Sequence, residues 1–505
     1  MDSKRKLKII NIKADVVVIG GGGGGLMAAA KAAEGGTKRV ILLEKAPRPG
    51  GNARLSGGFF AVESPAQKRQ GITTTCDEVF QEHMDFTNWK DNPRIVRAWM
   101  KKSKEVVKWF EENGVEFSVM HFMKGGMRVY HIAAAGLEDK GFGGAAPQKG
   151  RQVIGLTGDL LKALTNSCQK NGVNILCRTP AKNIKTNNSG EITGVLAENK
   201  KEGKEFRIKT KTAIIATGGF ARNKKLLKKF FPGHIDVANM YSHSLGFMTG
   251  DGYIMATEAG AATDDLVTVN NFSPHHYPWN PHITWLVRRP YLPWVNKKGE
   301  RFIDESFWTY AGGIGWALGR QPKNISFTLL DSKIKQDMIR DITAFEEAGP
   351  PWMNELESDL KSEADKGRVK IADSWEEIAE YIGAEPEILK ATIEQYNSFC
   401  DNGYDDDFAK DKKHLIPLRT PPYYAALGRQ GFDVAIGGIK INHDMEVLNK
   451  NDRPIRGLYA IGNDAGGSQG DTYNFGLPGS SFGFALSSGF IAAENAIKYV
   501  KASVF

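Results

Sequence analysis

The apolar and polar positions of the chain lay out a βαβ unit at once. Residues 15–19, Asp-Val-Val-Val-Ile, form a continuous β-branched run, as in a strand buried on both faces. Leu26 to Glu34 is alanine-rich and reads as a helix, ended by Gly35-Gly36, and Arg39 to Leu43 predicts a second strand. Asn92-Pro93 opens a helix to about Asn113, with Val96, Trp99, Val107 and Phe110 at helical spacing as core positions. Leu156 to Gln169 predicts an amphipathic helix, Val173 to Leu176 a short strand, and Thr179-Pro180-Ala181 extended chain. Ile192 to Ala197 and Phe206 to Lys209 alternate around a Lys-Lys-Glu-Gly turn, which predicts a hairpin. Ala213 to Gly219 is a buried strand running into glycines, and Thr249-Gly250-Asp251-Gly252 opens a helix ending near Gly260.

The texture changes near residue 267. Aromatic, proline and histidine residues crowd Phe272 to Pro293, and Val295 to Phe302 reads as a hairpin with a Lys-Gly turn. Ser374-x-x-Glu377 is a capping box opening a helix to about Tyr381, and Glu385 to Phe399 makes another. The earlier pattern resumes at Gly437-Gly438-Ile439, with a strand over Gly457 to Ile461, a Gly-rich loop to Ser481 and a helix over Phe482 to Val500. These breaks divide the chain into residues 1–266 and 435–505 of one domain and an inserted domain over 267–434. Gly125 to Gly150 is glycine-rich and poorly periodic; Tyr130 and His131 there either reach a pocket or sit exposed.

Between the first strand and helix, Gly20, Gly22 and Gly25 fall at G-x-G-x-x-G spacing. The first allows a tight turn, the second lets backbone approach a pyrophosphate, and the third packs helix on strand. Glu44, closing the second strand, suits ribose hydroxyls and would repel a 2′-phosphate. The unit predicts a dinucleotide site.

Composition narrows the remaining classes. The 505 residues exceed a usual single core, and 41% hydrophobic with 25% charged residues fits a globular protein. No apolar run is long enough to span a membrane, and the start lacks the apolar core of a secretory signal. A net charge of +9 is scattered, which argues for a solvated surface and against nucleic acid. Cys76, Cys168, Cys177 and Cys400 show no C-x-x-C pair, so no metal, cluster or haem site is expected; reduced thiols and a cytoplasmic location are.

The glycine triplet with Glu44, Gly50-Gly51-Asn52, Ala216-Thr217-Gly218-Gly219, Thr249 to Gly252, Asn296 to Glu305 and Gly457 to Asn463 together resemble one flavoprotein family. It includes fumarate reductases, urocanate reductase, aspartate oxidase and the 3-ketosteroid dehydrogenases, and the likeness covers nearly the whole chain. It implies an α/β fold: a Rossmann-like, glutathione-reductase-type FAD domain with an inserted α+β capping domain. Carried onto this chain, FAD would meet Gly20, Gly22, Gly24 and Gly25 at its pyrophosphate and Glu44 at its adenosine ribose. Lys45 and Asp251 would join the cofactor contacts, and Ala181 would meet the adenine edge. Gly50, Gly51, Asn52, Ser56, Gly57, Gly58, Ala216, Thr217 and Gly218 would lie near the flavin, and Asn463 near the ribityl chain. Ser480, Ser481 and Phe482, opening the last helix, would face the flavin O2 side. Some relatives tether the flavin to a histidine; Ala53-Arg54-Leu55-Ser56 contains none, so FAD is expected to be non-covalent.

The resemblance also implies hydride exchange between the flavin and a carbon β to an activating group, with an external electron donor or acceptor. The chain departs from the fumarate branch in three places. Thr309, next to Tyr310, stands where that branch has an arginine proton donor; Asp433 to Ile436 lacks its histidine; Gly470 to Ser481 lacks its carboxylate-clamping arginine. Tyr310, Tyr473 and Pro478-Gly479 are similar to the ketosteroid branch. There Tyr310 or Thr309 would handle the proton, while Tyr473 and the Gly479 N–H polarise a ketone; alternatively both tyrosines pack in an aromatic cap. His275 and His276 lie near a family substrate histidine, and Arg288 and Arg289 near a proton-relay arginine. The expectation is a flavin-dependent enzyme reducing or forming a C=C bond conjugated to a carbonyl, in a cyclic enone or ketosteroid-like substrate. The alternatives are a fumarate- or urocanate-type reductase and a non-catalytic electron carrier.

Overall fold

A computed structural model of the chain describes residues 7–120, 127–134, 157–231, 240–275, 280–287, 289–306, 311–340 and 355–502. They divide into two compact units: Met1–Phe230, Ser244–Val269 and Val434–Phe505, and Phe231–His243 with Asn270–Asp433.

The first unit is built on a six-stranded sheet in the order Glu446–Leu448, Pro454–Ala460, Ala213–Ile215, Val16–Ile19, Val40–Leu43, Asn174–Leu176. All neighbours are parallel except the first pair. Val16, Val17 and Val18 are wholly buried, as a two-sided apolar run requires. Helix Gly23–Glu34 packs on the last helix, Ser480–Ala502, so closely that a Cβ on Gly489 would lie 2.4 Å from the Gly24 carbonyl oxygen. The first helix starts three residues before the expected Leu26: the glycines are themselves its first turn. The 192–209 hairpin forms, extended on either side by Ala181–Thr186 and Lys8–Lys13. Helix Pro93–Glu112 buries Val96, Trp99, Val107 and Phe110 on its core face, with Asn92 accepting from the Arg94 and Ile95 N–H groups as its cap.

Part of the stretch expected to be irregular is strand. Tyr130–Ala133 pairs with Phe59–Phe60 and Phe117–Met120, and His131 is buried there.

The second unit centres on residues 423–433 of the long strand Tyr423–Ile436, flanked by Ile325–Asp331, Val369–Ala372 and Tyr241–Ser242. Tyr241 and Ser242 thus depart from the expected boundary at residue 267, pairing with Gly431 and Phe432. Helices Trp375–Ile382 and Pro386–Asn402 cover part of its core. Ser374 caps the former by accepting from Glu377 N–H at 3.3 Å. Cys76 and Cys168 are buried, while Cys177 and Cys400 are half-buried. Among the described residues no helix is long and apolar enough to cross a membrane, and no group of side chains is arranged to hold a metal ion.

Candidate active site

Three of the six glycines that follow the strand Val16–Ile19 are there for three separate reasons. Gly20 has φ +112°, and a side chain there would strike the Ala216 carbonyl. A Cβ on Gly25 would lie 1.9 Å from the Gly20 oxygen, so helix and strand backbones touch. A Cβ on Gly22 would meet nothing within 4 Å. The helix behind it has no side-chain cap and no acid in its first turn. Open space at Gly22 before an uncapped helix N-terminus suits a pyrophosphate.

Glu44 is buried; its Oε2 accepts from the Gly21 N–H at 2.7 Å and its Oε1 from the Ala46 N–H at 2.6 Å. Those donors fix the carboxylate and leave lone pairs for further donors. Gly24 packs on Ala485 of the last helix, and Ala181 is buried opposite Ala197. Lys45 and Asp251 meet each other at 2.8 Å, and Lys45 also reaches Thr249 Oγ1 at 2.6 Å. Gly50 donates its N–H to the Gly21 oxygen at 2.7 Å, docking the Gly51–Leu55 turn beside Gly22. Asn52 donates to Ser244 Oγ at 2.6 Å and accepts from the Leu245 N–H at 3.0 Å. Ser56 donates to the Gly58 oxygen, and Gly57 and Gly58 lie against Tyr130.

A buried carboxylate that the sequence reading passed over holds the next loop. Asp464 accepts from Thr217 Oγ1 at 2.8 Å, Gly218 N–H at 3.0 Å and Gly219 N–H at 3.1 Å. Burial pushes its carboxyl up, and these hydrogen bonds pull back. Ala216 continues the strand that carries this loop, donating its N–H to Ile19 O. The signal was an acid directly after Gly462-Asn463, at the end of a strand.

At the start of the last helix, Ser480 Oγ and the Ser481 N–H both donate to Tyr473 Oη, at 3.2 and 3.4 Å, and Ser481 Oγ donates to Asn463 Oδ1 at 3.0 Å. Phe482 packs against Gly23. Gly479 has φ +74°, its oxygen accepts from Phe60 N–H, and a Cβ there would lie 2.8 Å from the Phe59 backbone. Its own N–H has no partner among the described residues. Tyr473 is buried, packing with Val434, Ile436 and Phe475. Burial, with Tyr473 nearby, pushes the Tyr130 phenol up from its ordinary value, so it stays protonated. His131 is structural: it contacts Ser64 Oγ and Val129 O, stacks on Phe59, and burial holds its imidazole down at about 4.

Gly20 to Gly25, Glu44, Gly50, Asn52, Asn463, Tyr473 and Ser480 to Phe482 all lie in the first unit. Thr309, Tyr310, Arg288 and His276 lie outside the described residues. Arg289 is buried in the second unit, and His275 ends the strand Thr268–His275.

The glycine turn, the buried Glu44 and the flanking glycine loops are arranged as in a dinucleotide-binding βαβ unit. The chain belongs to the FAD binding domain family, whose pattern matches residues 15–476. It is 32% identical over 478 residues to the vinyl phenol reductase of Lactiplantibacillus plantarum, covering 91% of this chain and 92% of that protein. It is 27% identical over 460 residues to the NADH:fumarate oxidoreductase of Klebsiella pneumoniae, covering 91% of this chain and 45% of that longer protein. Its fold matches the crystal structure of the 3-ketosteroid Δ1-dehydrogenase from Sterolibacterium denitrificans with a TM-score of 0.75 at 21% identity, covering 96% of this chain and 99% of that one. The chain is an FAD-dependent oxidoreductase.

Proposed function

We propose that the protein reduces a C=C bond conjugated to a neutral, oxygen-bearing π system, with vinylphenols the first class to test and cyclic enones the second. The observation that carries this reading is the polar set on the loop before the last helix. Gly470 to Ser481 offers Tyr473, Ser480, Ser481 and the Gly479 N–H, and no arginine or lysine. A dicarboxylate without a fork donor would be buried at high cost, whereas a phenol or ketone oxygen needs only neutral hydrogen-bond partners. The 32% identity to a vinyl phenol reductase over nearly the full length supports the same substrate class.

Reduced FAD supplies the hydride, held without a covalent tether, since residues 53–56 contain no histidine. The chain must do the rest: hold the substrate oxygen and deliver one proton to the carbon next to the one that takes the hydride. Tyr473 Oη accepts from Ser480 Oγ and the Ser481 N–H, and a hydroxyl can donate as well as accept. With the Gly479 N–H it would stabilise the charge that builds on an enone carbonyl oxygen as the hydride arrives, and would hold a vinylphenol oxygen in place by hydrogen bonding. Tyr310, with Thr309 beside it, would supply the proton. The two electrons return from an external donor.

The test is anaerobic re-oxidation of the chemically reduced protein, followed at the flavin absorbance, with 4-vinylphenol, cyclohexenone, 4-androstene-3,17-dione, fumarate and urocanate. Recovery with a neutral substrate is expected. Faster recovery with fumarate or urocanate would overturn the reading, and recovery with none would favour an electron carrier.

A further inference from the structure

A buried histidine–carboxylate pair lies behind the loop that carries Tyr473. His83, on helix Cys76–Phe86, and Asp91, just before helix Pro93–Glu112, are both wholly buried, with Nε2 and Oδ2 2.7 Å apart. His83 Nε2 also lies 3.2 Å from the Ser468 carbonyl oxygen, and Nδ1 lies 3.4 Å from Asn474 Nδ2. Asn474 Oδ1 accepts from the Gly476 N–H at 2.8 Å, which fixes the amide with its nitrogen toward the histidine.

Those contacts decide the tautomer. Nε2 faces two oxygens that cannot donate, so it carries the proton; Nδ1 faces an N–H donor, so it is the bare acceptor. This contact is one of the loop's anchors, beside the Asn92 N–H bond to the Gly467 oxygen at 3.1 Å. Ser468 Oγ and Gln469 Nε2 are buried with no partner among the described residues, and only glycine fits at Gly470, where a Cβ would lie 2.9 Å from Asp91 Oδ1. Neither Asp91 carboxylate oxygen has a hydrogen-bond partner among the described residues; His83 Nε2 lies at ion-pair distance from Oδ2, but its hydrogen bond runs to the Ser468 carbonyl. A buried carboxylate so poorly satisfied is a weak way to gain stability, because apolar side chains of the same volume generally serve as well or better.

We infer that His83, kept in its Nε2–H form by the Ser468 carbonyl with Asp91 alongside, is a positioning residue: through Asn474 it fixes the 468–481 loop and with it the adjacent Tyr473 hydroxyl. This rests on the reading of Tyr473 as the group that holds the substrate oxygen. The other charges around the pair are Glu82 on the same helix, Asp264 beside Gly466, and the exposed Lys90–Asp471 ion pair. Burial pushes the Glu82 and Asp264 carboxyls up.

The test variant is Asn474→Asp, which is isosteric but turns the donor facing Nδ1 into an acceptor. The clamp then closes only when His83 takes a second proton, between Asp91 and the new carboxylate. FAD-loaded wild type, Asn474→Asp and Tyr473→Phe are assayed with 4-vinylphenol and reduced methyl viologen across pH 5–9. Titration of Glu82 or Asp264 appears in wild type too, so the comparison isolates His83. For Asn474→Asp, kcat is expected to fall about 10–10²-fold at alkaline pH, the usual effect of an ångström-scale misplacement, and to recover at acid pH. His83→Leu/Asp91→Val, an apolar pair that offers Asn474 no acceptor, is expected to lose kcat at every pH while keeping its FAD. If Tyr473→Phe is impaired while Asn474→Asp follows the wild-type pH profile and the double variant keeps wild-type kcat, the clamp is refuted and the role of Tyr473 stands. If Tyr473→Phe turns over at the wild-type rate, the reading of Tyr473 fails, and the clamp with it.

Discussion

Replacing Glu305 by Gln should destabilise the second unit far more than its small change in shape suggests. Glu305 is wholly buried and bonded to Arg301 at 3.0 and 3.1 Å, to Lys410 at 2.9 Å and to the Trp294 N–H at 3.0 Å. Arg301 also reaches Asp405 at 2.9 Å, so two cations and two anions balance in a nearly water-free cluster. Burial alone would push the Glu305 carboxyl up, but Lys410 and Arg301 outweigh it and hold the group at about 2. A fall from 4.5 to about 2 corresponds to roughly 3 kcal/mol. Burial pulls Lys410 below its ordinary value, so the network as a whole is worth less than that figure. Removing one partner still leaves uncompensated charge inside, and Glu305→Gln should cost about 3–5 kcal/mol at pH 7, read by urea unfolding with tryptophan fluorescence. Because the folded-state value is depressed, the contribution is complete above about pH 4.5 and fades as pH falls toward 2. The gap between parent and variant should therefore narrow to about half or less by pH 3. Glu305→Gln/Lys410→Met restores neutrality and should recover much of the loss. A single variant within about 0.5 kcal/mol of the parent at pH 7 would refute the reasoning.

Glu44→Ala should weaken FAD binding by about 1.5–3 kcal/mol, measured by titrating apoprotein with FAD; unchanged affinity would show that Glu44 only braces Gly21 and Ala46. Acid denaturation should release all the flavin into the supernatant, and flavin that stays with the polypeptide would disprove non-covalent binding. Gly479→Ala should cut turnover with FAD retained, because its Cβ would lie 2.8 Å from the Phe59 backbone; wild-type kcat would remove the Gly479 N–H from the site. Tyr310→Phe should lower turnover by about 10²–10⁴ without loss of FAD, and parent-like rates would send the search for the proton donor to Arg288 or Arg289.

How much of this was legible depended on the range over which each signal acts. Val16 to Ile19 and helix Pro93–Glu112 read directly because period and burial coincide within one element. The first helix was placed three residues late because glycine propensity argues against helix, while close packing on the last helix demands glycine at Gly24. Propensity lost to tertiary fit. Tyr130 and His131 escaped assignment for a related reason: their strand is short, set in glycine-rich chain, and earns its burial from Phe59 and Phe117.

The groups that hold the site were the least legible, and one physical cause accounts for it. Asp464, His83 and Asp91 act through partners hundreds of residues away or on loops: Thr217 for the first, Ser468 and Asn474 for the second. Such pairs leave no period in the sequence, and a lone buried acid looks like any other Asp. The glycines did announce the loops, but for a mixture of reasons. Gly22 leaves space for a ligand, whereas Gly466 and Gly470 make room for the Asp264 and Asp91 carboxylates. A glycine-rich stretch in this chain therefore marks either a cofactor surface or a buried charge behind it. Substitution tells the two apart: Gly22→Ala should weaken FAD binding and leave the fold intact, while Gly470→Ala should disturb the loop that bears Tyr473 and leave FAD bound.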